Sequence, residues 1–295
     1  MEGHMRRNNI NILIILLAAL LLFSGCNRTP KEEETTAPID VSQIDKNLIG
    51  SYKTMEYTYL TNVNPALLTT NLSQDYLILA NKTVALDRDY VPAQLTTLTC
   101  ATLQAGRVYQ LEARAAEALY AMLAEMQAAG VSDIMVTSAY RSYEYQVKTY
   151  NDWVKYESER ISEDAYKVFG QEYIKANYLD KGIYCMSLED AHIVAQSYSA
   201  QPGESEHQTG LCVDFITSEM GGKLTEAFAT TEAFRWLSQN AYKFGFILRY
   251  PQGMESITGY TYEPWHYRFV GREAATDIFT GKMILEQYLQ LMAQG

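Results

Sequence analysis

Residues 205–215 read SEHQTGLCVDF, Ser205 to Phe215. A polar turn carrying His207 runs directly into an apolar stretch that holds a carboxylate, Asp214. A charge inside an apolar run is costly unless something positive pairs with it. The run Leu211 to Ile216 has the length and composition of a strand, LCVDFI. Alternation along a strand then puts Cys212, Asp214 and Ile216 on one face and Leu211, Val213 and Phe215 on the other. The second face is core. Asp214 therefore looks out of the opposite face, where the turn at Gln208 to Gly210 can bring His207 alongside.

The chain has only three other histidines: His4, His192 and His266. His4 lies in an N-terminal targeting segment. His192 sits in a helix-like stretch, EDAHIVAQ, and reads as structural. His266 lies in EPWHYRFVG, three residues after Glu263, and opens the last predicted strand. Two histidines and a carboxylate are enough for a catalytic zinc site with an open fourth position. A further carboxylate, not bound to metal, would serve as general base. Glu263 precedes Pro264 in the turn entering the strand, which places it to overhang such a site.

Around this centre the sequence is ordinary in composition. It has 295 residues, 47% hydrophobic and 20% charged, enough for a large core without staples. Its formal net charge of -11 makes it a poor partner for nucleic acid. Arg6 and Arg7 precede an apolar run, Ile10 to Phe23, as in a secretory signal. The run ends in FSGC, Phe23 to Cys26, which resembles the lipobox of bacterial lipoproteins, although the family prefers leucine where Phe23 stands. That resemblance implies cleavage before Cys26, a lipid on its thiol and an extracytoplasmic, membrane-anchored protein. Residues 1–25 are then a signal peptide and 26–45 a polar, flexible tether. Residues 46–74 form a tyrosine- and threonine-rich arm, and 75–295 the catalytic domain. Cys100, Cys185 and Cys212 are the remaining cysteines, an odd number that permits at most one bridge.

Periodicity predicts a helix over Tyr109 to Ala129, stopped by Gly130. A short strand follows Asp75, and Asp133 to Ser142 is a strand leaving into a turn. Tyr143 to Tyr178 reads as helix, as do Thr230 to Phe244 and Arg272 to Met292, while FGFILRY and WHYRFVG read as strands. Strands and helices mix without regular alternation, which favours α+β over a doubly wound sheet.

Ser205, His207, Gly210 and Asp214 fit the S-x-H-x-x-G-x-A-x-D pattern of the zinc D-Ala-D-Ala carboxypeptidases of VanY type. Glu263 and His266 fit their E-x-x-H, and SAYRS, Ser138 to Ser142, with Gln146 after it, resembles their third motif. The resemblance spans roughly Asp75 to Ile284. It implies a small antiparallel sheet carrying one Zn²⁺ ion, flanked by helices, with His207, Asp214 and His266 as ligands. It implies Glu263 as general base and Arg141 in contact with the substrate, at the carbonyl or the terminal carboxylate. Ser205 and Gln146 would help to hold the peptide. The implied substrate is a peptidoglycan stem peptide losing its C-terminal D-alanine. L,D-carboxypeptidase and endopeptidase activities are alternatives on the same core, and a zinc-binding pseudoenzyme or peptidoglycan-binding lipoprotein is the non-enzyme alternative. The presence of Glu263 argues for catalysis. The family usually has an alanine-like residue where Cys212 stands. Two residues along a strand lie about 6.5 Å apart, so Cys212 reads as a packing residue beside Asp214.

Overall fold

The computed structural model describes residues 39–294. The signal segment, Cys26 and the first part of the tether lie outside the described residues. A four-residue helix α1 (Gln74–Leu77) leads to a two-stranded ribbon, β1 (Leu95–Thr97) and β2 (Gln110–Glu112). Helix α2 (Ala113–Ala128) and strand β3 (Met135–Ser138) follow. Four helices come next: α3 (Tyr143–Ser158), α4 (Glu163–Phe169), α5 (Gln171–Asn177) and α6 (Leu188–Tyr198). Strand β4 (Cys212–Ile216), helix α7 (Glu232–Asn240) and strand β5 (Phe246–Leu248) lead to a one-turn helix α8 (Glu255–Thr258). Strand β6 (His266–Phe269) and helices α9 (Arg272–Gly281) and α10 (Leu285–Gln294) complete the chain. The architecture is α+β, as the mixture of patterns predicts.

The main sheet is antiparallel with the order β3-β4-β6-β5. Its two faces have different tasks. Val213 and Phe215 of β4, Tyr267 and Phe269 of β6 and Phe246 of β5 enter the main core with Leu119, Met122 and Met126 of α2. On the other face Asp214 pairs directly with His266, and Cys212 with Arg268. Apolar side chains on one face thus hold a row of polar ones in place on the other.

Several elements differ from the periodicity, each for a local reason. The stretch from Tyr109 begins as β2, and the helix starts only at Ala113, where the Glu112 side chain accepts from the Ala115 N–H. The predicted helix Tyr143 to Tyr178 is three helices: Ser162 caps α4, and Gly170 separates α4 from α5. The last helix is broken by Lys282 in the left-handed region. Between α1 and β1 there is only an isolated bridge, Asn81 to Val84, where a short strand is expected after Asp75. Residues 74–77 make one helical turn, started by Ser73, whose hydroxyl accepts from the Asp75 N–H. Helices α3 to α6 form a second small core around Tyr150, Val154, Ile174 and Val194. His192 belongs here, bonded to the Tyr150 hydroxyl at 3.1 Å, in keeping with a structural role. Among the described residues no helix is long and apolar enough to cross a membrane.

Candidate active site

Strand β4 positions the site. Its neighbour β6 sets His266 straight across from Asp214, with His266 Nδ1 2.8 Å from Asp214 Oδ1. His207 lies in a 3-10 turn, Glu206–Thr209, that Gly210 closes just before β4. The turn is tied on both sides: Arg141 N–H donates to His207 O, and Glu112 N–H to Gly210 O. His207 Nδ1–H donates to Ala139 O at 2.6 Å, so its Nε2 faces Asp214, 3.1 Å from Oδ2. The two imidazoles meet edge to face with centroids 5.1 Å apart. Burial alone would raise the Asp214 carboxyl, but His207 and His266 hold it far below its usual range. The charge that the sequence leaves unexplained in LCVDFI is therefore met by two imidazoles.

Glu263 stands beside this group, its Oε2 3.9 Å from His266 Nδ1, with 14% of its side chain exposed. Its backbone is held by an N–H bond to Tyr250 O, and its own carbonyl accepts from His266 N–H. Burial pushes its carboxyl up to about 7; His266 pulls it down in part, and the Asp214 charge adds to the rise. A carboxylate titrating near neutrality suits proton transfer. Arg141 follows β3 and is close enough to lower both His207 and Glu263 electrostatically. Its Nε is buried without a partner. Gln146, on the first turn of α3, donates through Nε2 to Ala200 O at 2.6 Å, and its Oε1 is likewise buried without a partner. Ser205 is buried just ahead of the turn. Arg141, Gln146, Ser205, His207, Asp214, Glu263 and His266 come from β3, α3, β4, β6 and the turns between them.

The donor set fits zinc. His207 has its second nitrogen fixed by a backbone carbonyl, the arrangement that turns an imidazole into an oriented ligand. Its Nε2, an Asp214 oxygen and His266 Nδ1 are of the right type for a three-ligand site with an open position. Cys212 is fully buried beside Asp214, as a packing residue is. His207, Cys212 and His266 offer ligand atoms that all lie within 4.8 Å of one another. Asp214 is not one of that group. Burial raises the Cys212 thiol, but His207 and His266 outweigh it and hold it at about 7. All three cysteines of the described domain are free.

Behind the histidines lies a group that the motifs do not reveal. Glu206, Arg249, Arg268 and Glu286 form a buried network of charges. A signal was present in the sequence: arginines inside the apolar runs FGFILRY and HYRFV need buried acids.

The family model for VanY, D-alanyl-D-alanine carboxypeptidase, matches residues 108–272, and the chain belongs to that family. It is 30% identical over 291 residues to the carboxypeptidase-like protein YodJ of Bacillus subtilis (strain 168), covering 93% of each chain. Among solved structures it resembles the LdcB LD-carboxypeptidase (TM-score 0.56, 32% identity, 72% of this chain and 84% of that one). It also resembles the zinc(II) complex of a mutant of the D,D-pentapeptidase VanY from the VanB-type vancomycin resistance cassette (TM-score 0.54, 32% identity, 73% of this chain and 99% of that one).

Proposed function

We propose that this protein is a zinc-dependent D,D-carboxypeptidase that removes the C-terminal D-alanine from peptidoglycan stem peptides, working outside the cell on a lipid anchor at Cys26. The observation that carries the reading is Glu263: a carboxyl raised to about 7 beside two histidines and an aspartate that suit zinc. His207 Nε2, Asp214 and His266 Nδ1 would hold the ion, which supplies a Lewis acid and makes water nucleophilic near neutral pH. Glu263 takes the proton of the attacking water and returns it to the leaving amine of D-alanine. Arg141 sets a guanidinium where negative charge develops on the scissile carbonyl oxygen. The unpartnered Gln146 Oε1 accepts a hydrogen bond from a peptide N–H, and Ser205 helps to hold the same strand of substrate.

L,D-carboxypeptidase activity on tetrapeptide stems is the second reading, favoured by the near-equal likeness to LdcB and to VanY. Incubation of the zinc-loaded protein with stem pentapeptide and tetrapeptide, followed by mass spectrometry, separates them. Loss of one alanine from the pentapeptide alone is expected. Loss from the tetrapeptide alone would establish the second reading, and loss from neither would overturn both.

A further inference from the structure

We propose that Glu206 is the positioning residue for His266, deciding which ring nitrogen that histidine presents to the metal; the inference rests on the zinc reading above. Glu206 is fully buried, and its two oxygens are used differently. Oε1 accepts from Arg249 Nε at 2.8 Å and from Arg268 Nη1 at 2.9 Å. Oε2 has no hydrogen-bond partner, and it faces His266 Nε2 at 3.6 Å. That nitrogen is also buried and has no hydrogen-bond partner. Two complementary orphans pointing at each other inside a protein are satisfied together when the imidazole carries its proton on Nε2. Nδ1 is then left with its lone pair, on the side of Asp214 and His207.

The carboxylate is itself held still. Arg249 makes a two-pronged contact with Glu286 of α10, at 2.9 and 2.5 Å. Arg268 of β6 donates to the carbonyls of Ile78, at 2.7 Å, and Tyr76, at 3.2 Å. Glu206 is thus fixed from β6, from the end of β5 and from the residues around α1. The paired histidines are oriented by unlike acceptors, His207 by a neutral carbonyl and His266 by an anion. An anionic acceptor raises the basicity of the imidazole as well as fixing its tautomer. Because Glu206 immediately precedes His207, a single turn supplies one histidine and orients the other.

Two variants test this. Glu206→Gln removes the charge but keeps the shape. Glu206→Gln/Arg268→Gln removes one charge of each sign and leaves the Arg249–Glu286 pair intact, so it decides the matter if the single variant does not fold. Zinc affinity is read by competition with a chromophoric chelator, and the ligand field by the absorption bands of the cobalt(II)-loaded protein. Band positions report on folded, loaded sites and do not move when a variant is merely less stable. We expect zinc affinity to fall about 10- to 100-fold, as is usual when such an outer partner is lost, with shifted cobalt bands. Wild-type affinity with unchanged bands in a folded variant would overturn the role of Glu206 alone. A wild-type protein that binds neither metal would instead overturn the zinc reading.

Discussion

Glu263 has no arginine or lysine within ion-pair distance among the described residues, and its raised carboxyl follows from burial next to Asp214. In the metal-free protein the folded state binds a proton here at a pH where the unfolded chain has released it. The stabilisation is complete below the ordinary value of 4.5 and is lost as pH rises through about 7. Against Glu263→Gln, which does not titrate, the metal-free wild type should lose up to ~3 kcal/mol of relative stability across that window. Urea unfolding in chelator at a series of pH values measures it, and a flat difference would contradict the shift. With zinc restored, Glu263→Gln should retain the ion and lose turnover by about 100-fold or more. His207, Asp214, Glu263 and His266 were legible because each stands at a fixed spacing beside a strand that must bury its other face. Glu206 was not. Its partners Arg249 and Arg268 lie 43 and 62 residues away, and only folding brings them together.

Among the elements, strands and the helix α2 could be read from alternation and period, but helix ends could not. Where α9 starts is decided by contact with the arm. Gly271 has φ +83°, and a Cβ there would lie 2.0 Å from Thr70 Oγ1. Thr70 cannot retreat freely, since its N–H and hydroxyl both donate to Glu273 Oε2, at 3.1 and 3.2 Å. Gly271→Ala should therefore cost more than backbone strain alone, which is about 1–3 kcal/mol. Gly182→Ala is the control, with φ +69° and open space where its Cβ would be. Denaturant midpoints of the two variants give the comparison. Equal losses would mean that Thr70 moves aside without cost. No sequence pattern announces such a glycine, because the atom that excludes a side chain comes from residue 70.

At the scale of the whole molecule the arm is the part that the sequence leaves unread. It has no apolar period, and its structured pieces are 3-10 turns, Lys46–Leu48, Ser51–Lys53 and Pro65–Leu67. Its backbone N–H groups have no strand to pair with and still need acceptors. Three carboxylates of the catalytic domain supply them. Asp277 accepts from the N–H groups of Gly50 and Tyr52 and from the Ser51 hydroxyl, at 2.8, 3.2 and 2.8 Å. Glu125 accepts from Leu60 N–H, Thr61 N–H and the Thr61 hydroxyl, at 2.5, 2.9 and 2.7 Å. Glu273 holds Thr70, and beyond these anchors Leu68 enters the main core. The acidity of the chain thus has a structural use apart from the active site. Asp277→Asn keeps the shape but sets an amide donor among three donors, so at least one N–H or hydroxyl loses its acceptor. The cost should be ~1–3 kcal/mol, and the loss should be local: limited proteolysis should cut first between residues 46 and 60. The proposed zinc ligands belong to the sheet and its turns, not to the arm, so the intact variant should hold zinc as the wild type does. Digestion at the wild-type rate, with an unchanged denaturant midpoint, would show that Asp277 does not clamp the arm.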